Sequence, residues 1–488
     1  MNNSKLPFRL NAIVLAFMMG ASEAATIKVN HSCSLTDAVT AANTDTATGG
    51  CPAGNGADTL QLILNQYVFT SPIFTQDDHA PHRGDYTALP LISSVITING
   101  DPDGVGKRAE IRRESTSAFR LIQVKPSGNL TLNDTVLKNG WADKYYNVGG
   151  GILNAGILTL KNSTLTKNTA PWNLYTYSGS HSGLGGAIFN SAGGKVTLLN
   201  STISGNTAIA SCFFSDLINN SYEPGRGGGI FNRGILNLRN STVSNNMAQD
   251  SKTCINDYCY CYIGAENGGM GIGGGIFNTT TGKTTLTNSV IANSRKGADC
   301  VGPIIFQGVN LIEDSSCNIT PPRGLSGDPK LMPLTYNGGS TPTHAPSPDS
   351  IVINRAVDYR CTPTDQRGVL RPDGMHCDLG AVEYITSVNA PVKPILDFFD
   401  VSLQNNELSG VGKYKAIQVI RLSSFRNQLI TTGSFLDHNL KNKACFQINI
   451  LLKSIDPNNT PDLNDLVTGN AGSGLTDKIN ALKTSSGC

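Results

Sequence analysis

Four stretches of this chain repeat one another, and that repetition limits the possible folds more than any other feature. Residues 149–170 read GGGILNAGILTLKNSTLTKNTA and 185–208 read GGAIFNSAGGKVTLLNSTISGNTA. Residues 227–248 read GGGIFNRGILNLRNSTVSNNMA and 273–294 read GGGIFNTTTGKTTLTNSVIANS. A fainter copy at 129–140 precedes them. An Asn-Ser pair recurs at Asn162, Asn200, Asn240 and Asn288, with offsets of 38, 40 and 48. Each unit divides into three short runs rich in β-branched residues: Ile-Phe-Asn, then Leu-x-Leu, then Ser-Thr-Ile or Ser-Thr-Val. Gly and Asn hold the corners, where left-handed backbone angles cost least. A unit this small cannot enclose its own apolar side chains, so it buries them on the copies above and below. The expected fold class is all-β: a right-handed parallel β-helix solenoid with an N-terminal helical cap and a small C-terminal α-helical domain. Asn at matching positions should stack as a hydrogen-bonded ladder, and Ile152, Ile188, Phe231 and Phe277 should line up along one axis.

The ends of the chain read differently. Residues 1–24 have the form of a secretory signal: Lys5 and Arg9, a short apolar run from Leu10 to Gly20, then small residues at Ser22 and Ala24. That run is too short to span a bilayer, and no later run of about 18 apolar residues occurs, so no transmembrane segment is expected after signal removal. Residues 25–140 are expected to hold the cap and the first irregular coils. Ser34 and Asp37 have capping-box spacing, and Leu35, Ala38, Val39 and Ala42 fall on one helical face. Regular coils with inserts should occupy 141–320, and C-terminal coils with a closing motif 321–385. Helical periodicity at 395–405, 416–428, 444–452 and 475–482 marks the small helical domain, 395–488.

Export makes the 12 cysteines readable as a disulfide framework. Cys33 with Cys51, Cys300 with Cys317 and Cys361 with Cys377 form short-range couples, and Cys445 with Cys488 is a further one in the tail. Cys212, Cys254, Cys259 and Cys261 would supply two more, in a pairing the spacing leaves open. A zinc site at Cys254, Cys259 and Cys261 lacks zinc spacing and a nearby His, so no metal is expected. Nor is a cofactor: the glycine run 268–275 lacks the strand–helix context of a dinucleotide site.

Two motifs carry a family resemblance. Cys33-Ser34-Leu35-Thr36-Asp37-Ala38-Val39, followed by Ala41-Ala42-Asn43-Thr44, resembles the N-terminal motif of CSLREA-type secreted β-helix proteins, with Thr36 and Asp37 in place of Arg and Glu. Gly327-Asp328-Pro329, Asn337-Gly338-Gly339-Ser340, Asp365-Gln366-Arg367-Gly368 and Cys377-Asp378-Leu379-Gly380 resemble the choice-of-anchor Q domain. Together the two motifs and the coils between them cover about residues 26–384. The resemblance implies a bacterial secreted or cell-surface β-helix and implies little about activity. The chain departs from such proteins in ending in helices.

Candidate function rests on three inserts, at roughly 171–184, 209–226 and 249–272, which occupy the same place in successive repeats and should project on one side of the scaffold. They bring Trp172, Tyr175, Tyr177, Tyr222, Tyr258, Tyr260 and Tyr262 as candidate ligand-binding residues, suited to a sugar face or a surface protein. With Lys+Arg at 38 and Asp+Glu at 36, nothing in the balance points to nucleic acid. The reading is an adhesin-like binding protein, secreted or on the cell surface, contacting a glycan or a host or matrix surface. A polysaccharide lyase or glycoside hydrolase is the first alternative. No acidic residue between 149 and 300 lies on a coil strand, so no catalytic residue is assigned. A structural envelope or matrix protein is the second. Asp365, Arg367, Arg371, Asp378 and Glu383 are expected to form a salt-bridged turn closing the last coil, and His344 to serve packing or hydrogen bonding.

Overall fold

The computed structural model describes residues 24–75, 85–104, 106–142, 147–171, 182–209, 211–212, 222–249, 271–385, 391–458, 460–462 and 464–488; Asp85, Ser211, Cys212, Tyr222 and Glu223 are described by backbone alone. Parallel sheets dominate it, in a β-solenoid-like stack. A first sheet of nine strands runs from Thr26–Val29 to Ile304–Gln307, and a second, also of nine, from Gln66–Phe69 to Gly324–Leu325. A third has six strands, from Ile122–Val124 to Cys300–Val301. One turn of the chain visits all three. Ile188–Asn190 lies in the third sheet, Lys195–Leu199 in the first and Thr202–Ser204 in the second. A fourth contact follows at Thr207–Ala208, stacked between Thr169–Ala170 and Met247–Ala248.

Like residues sit on like residues. Leu160, Leu198, Leu238 and Leu286 are in register in the first sheet. In the second, Leu137, Leu165, Ile203, Val243 and Ile291 form one column. All belong to one continuous buried core. Strand alternation sends every second residue outward, which leaves Ile157 and Ile235 exposed on the first sheet. It also corrects one expectation. Ile152, Ile188, Ile230 and Ile276 form one inward column, whereas Leu153, Phe189, Phe231 and Phe277 form the adjacent outward one. Ile188 and Phe231 therefore face opposite ways.

The expected amide ladder is present twice. Asn154, Asn190, Asn232 and Asn278 pass an Nδ2–H to the Oδ1 of the next, at 2.8, 2.7 and 2.8 Å. Asn168, Asn206 and Asn246 do the same at 2.9 Å. The Asn-Ser pair has another task. Asn162, Asn200, Asn240 and Asn288 take φ of 49°, 46°, 45° and 48° at the corner between the first and second sheets, and Asp134 takes 51° at the same corner one coil earlier. The amides of Ser163, Ser201 and Ser241 each donate to the Oγ of the Ser one coil on, at 3.2 Å.

Helix α1 (Leu35–Thr44) starts at Ser34, whose Oγ accepts from the Asp37 amide at 3.1 Å and donates to the Asp37 carboxylate at 2.7 Å. Its buried face, Leu35, Ala38, Val39, Ala41 and Ala42, joins the core of the first strands. Disulfides link Cys33 to Cys51, Cys300 to Cys317, Cys361 to Cys377 and Cys445 to Cys488.

Residues 331–385, here the strap, do not close the last coil. They run back along the outer face of the second sheet. Thr164 Oγ1 donates to the Pro342 carbonyl at 2.7 Å, and Thr202 Oγ1 to Gln366 Oε1 at 2.6 Å. Thr242 Oγ1 accepts from the Ala381 amide at 3.0 Å. The corner asparagines hold its edge: Asn200 donates to the Thr364 carbonyl, Asn240 accepts from the Thr362 amide and Asn288 from the Val357 amide. The reason is chemical: a column of outward hydroxyls and half-used amides offers a second peptide a row of partners.

Over the strap lie helices α2 (Lys393–Gln404), α3 (Lys415–Asp437), α4 (Lys441–Lys453) and α5 (Gly472–Ser485), close to the four expected segments. Phe399, Phe425, Leu429, Ile448, Leu475 and Ile479 form their own core. On α3, Ser424 donates to the Tyr336 carbonyl at 2.7 Å and Thr431 to the Asn337 carbonyl at 2.8 Å. Arg108, on the stack, reaches Gln428 at 3.0 Å. Among the described residues no helix is long and apolar enough to cross a membrane.

Candidate functional site

With the second sheet covered by the strap, the third sheet carries the more distinctive outward side chains. In each Ile-Phe-Asn run, Ile points into the core, Asn joins the ladder and Phe points out. Phe189 and Phe231 stack with centroids 5.3 Å apart and planes 4° from parallel, and Phe231 and Phe277 at 5.0 Å and 11°. Val148 and Leu184 pack against the rings, which keeps Phe189 and Phe231 buried although they lie outside the coil. The Arg233 guanidinium lies 5.6 Å from the Phe189 centroid and 5.5 Å from that of Phe231, within cation–π range. Beside Leu153, at the foot of this column, is a groove of about 480 Å³ lined by Gln123, Val124, Lys125, Pro126, Leu153, Ala155, Ser191, Ala192 and Gly193. Its volume suits a small ligand. Its lining carries one charged group, Lys125, and no carboxylate.

The insert roots frame the same surface. The chain leaves the stack after Ala170, Ala208 and Ala248, which are in register. It rejoins at Leu184, Arg226 and Ile272, aligned with one another and with Val148. Trp172, Tyr175, Tyr177, Tyr258, Tyr260 and Tyr262 lie outside the described residues. Tyr222 is placed by its backbone: Tyr222–Glu223 pairs antiparallel with Ser211–Cys212. The phenylalanine column is the feature that reading the sequence missed. The signal was available: if Ile faces inward, the next residue of a strand faces outward.

The acidic cluster of the strap has a different character. Asp365 meets Arg367 at 2.8 Å and Glu383 meets Arg371 at 2.6 Å, all four side chains buried. Arg371 also donates to the carbonyls of Asp378 and Gly380, at 3.0 and 2.8 Å. Glu383 accepts from the amides of Asp373 and Asp378, at 2.9 and 3.0 Å. Burial raises both the Asp378 and Glu383 carboxyls, Asp378 further because Glu383 is beside it. Every carboxylate here is taken up by the strap's own turns, so the geometry is that of a fastening. His344 fits the same description. Its Nδ1 contacts the Met332 carbonyl at 2.7 Å, which fixes the proton on Nδ1, and its Nε2 accepts from Ser204 at 2.8 Å. Burial lowers its pKa to about 4, so the ring is neutral.

Two further groups bear on chemistry. Asp134 is partly buried at the corner, accepts from Ser340 Oγ at 3.0 Å and is pushed up to about 7 by desolvation, with the Asp101 charge adding to the shift. Asp358, Cys361 and Cys377 converge closely enough to suggest a metal site. The two sulfurs are bonded to each other, so neither is a thiolate ligand. Comparison with family models, with characterised proteins and with solved structures finds no match to this chain.

Proposed function

We propose that this chain is an exported right-handed parallel β-helix, its N-terminal end capped by α1, that works as a binding protein on or outside the cell surface. It belongs in this reading with the CSLREA-type and choice-of-anchor Q proteins its motifs resemble. Its ligand is a glycan or a host or matrix surface, met on the side from which the three inserts leave. One observation carries the proposal: the insert roots stack along a single edge, beside the outward phenylalanine column and the 480 Å³ groove. A rigid stack that presents loops and a preformed apolar concavity on one side is built for contact. The groove's lining of amide, hydroxyl, one ammonium and apolar groups suits recognition, whereas glycoside hydrolysis needs a pair of carboxylates across the bond.

The test is binding of the purified mature chain to a glycan array and to host-cell and matrix surfaces, repeated with the three inserts replaced by short turns. Loss of binding with an unchanged melting temperature supports the proposal. Equal binding by both proteins defeats it. A variant in which Lys125 and Gln123 are both replaced by Ala tests the groove separately, and weaker binding is expected.

A further inference from the structure

A second concavity lies at the far end of the stack, away from the insert side. It has a volume of about 320 Å³ and lies between the last strand of the first sheet and the turn Asp358–Arg360. Two arginines line it, Arg323 and Arg360, and neither meets a carboxylate among the described residues. Arg360 donates to Gln307 Oε1 at 3.1 Å and to the Tyr359 hydroxyl at 3.3 Å, both neutral. Arg323 is exposed, and its guanidinium makes no hydrogen bond or ion pair among the described residues. The nearest acid in sequence, Asp358, is occupied by His376 at 2.8 Å and by the Cys377 amide at 2.9 Å. Beside the arginines stands Tyr359, 80% exposed, with the Arg360 guanidinium 5.2 Å from its centroid.

The floor of this notch is held rigid. Cys361 is tied to Cys377, the Cys361 amide donates to the Asp358 carbonyl at 2.9 Å, and Asn288 donates to the Val357 carbonyl at 3.1 Å. Arg239 braces the turn through the carbonyls of Arg360 and Cys361. A guanidinium held on a stiff turn (Arg360), a second exposed one beside it (Arg323), neither facing a carboxylate among the described residues, and an exposed ring match one ligand chemistry. A carboxylate satisfies the arginine forks, and a sugar ring lies against the free face of a tyrosine.

We propose that this notch binds the carboxylate-bearing sugar of an acidic glycan. The proposal rests on the reading of this protein as a glycan binder, but it places a separate subsite with its own charge preference. It is tested by titrating the full mature chain with oligogalacturonate, with the matching neutral galacto-oligosaccharide, with dextran sulfate and with poly-glutamate. The expected order is oligogalacturonate far tighter than the neutral sugar, with affinity falling as salt rises. Arg323→Ala and Tyr359→Ala alter exposed side chains and should leave the melting temperature in place. Each should weaken oligogalacturonate binding roughly tenfold or more. The insert-replaced protein should keep this binding, so failure of the insert surface and failure of the notch give different results. Absence of oligogalacturonate binding overturns the proposal, as does equal affinity for the neutral sugar. Preference for dextran sulfate or poly-glutamate overturns the assignment to a carboxylated sugar. Unchanged binding by both variants overturns the location.

Discussion

The coil interior and the strap solve the same problem with opposite chemistry. Both bury many polar groups. Inside the repeats the groups are uncharged amides and hydroxyls, most of which bond to the matching residue one coil away. In the strap Asp365 pairs with Arg367 and Glu383 with Arg371, while Asp378 accepts from the amides of Asn354 and Tyr384. Repetition accounts for the difference. A residue that recurs at every coil can be donor to one neighbour and acceptor from the other, so neutral groups suffice. The strap passes once, meets no copy of itself and needs strong, geometrically selective partners. The lesson is that periodic regions tolerate neutral polar burial, whereas unique crossings rely on charge and inherit its sensitivity.

The sharpest way to break this comparison is Arg371→Ala. It leaves Glu383 buried without its cation and two carbonyls without a donor, and is expected to cost about 3–5 kcal/mol. Denaturant unfolding of the full chain, followed on helical and strand signals separately, measures it. A loss under 1 kcal/mol would show that the strap does not depend on charge.

Next is Asp134→Asn, with the opposite sign. Unfolded, this carboxyl ionises near 3.8, whereas in the fold it holds its proton to about 7. Between those values only the unfolded chain is ionised, so Asp134 makes stability fall as pH rises through that window. Asparagine already fills the same corner at Asn162, Asn200, Asn240 and Asn288. The variant should match the parent at pH 4 and exceed it at pH 8 by on the order of 3 kcal/mol. His344 acts the other way. Its unfolded pKa of 6.5 drops to about 4 in the fold, so its contribution is lost as pH falls from 6.5 towards 4. With Asp134 replaced, unfolding midpoints should therefore rise more steeply from pH 4 to 6.5. A profile parallel to that of the parent would contradict both assignments.

Asn232→Ala tests the neutral side. It removes the acceptor for Asn190 and the donor to Asn278, for about 1–3 kcal/mol. Unlike the Asp134 effect, this loss should be the same at pH 4 and pH 8. The smallest effect is expected at Lys393, exposed and paired with Asp397 one helical turn on. Lys393→Ala should change the unfolding free energy by less than about 0.5 kcal/mol, which sets the scale against which buried charge is judged.

Much of the stack was legible because repeats announce their own register. Once the Asn-Ser pairs were aligned, the corners, the strand runs and an amide ladder followed, and the cysteine couples followed from spacing. Three features escaped. The outward direction of Phe189, Phe231 and Phe277 required separating two columns one residue apart, and apolar residues look alike from either side of a strand. The path of the strap was hidden because its partners, Thr164, Thr202 and Thr242, are remote in sequence and each carries an unremarkable hydroxyl. The arginine notch was hidden for the same reason, since Arg323 and Arg360 meet only when the strap has returned. Of the candidate aromatics, Tyr222 alone has a described backbone.

The returning strap also sets an order of events. Ribosomes deliver the coils first and residues 331–385 only in the last third of the chain, so the threonine hydroxyls of the second sheet meet water until that stretch arrives. A truncated product would carry an intact stack with a bare polar flank, open to digestion. Resistance to protease along that flank is thus a readout of whether the strap has been made and laid down.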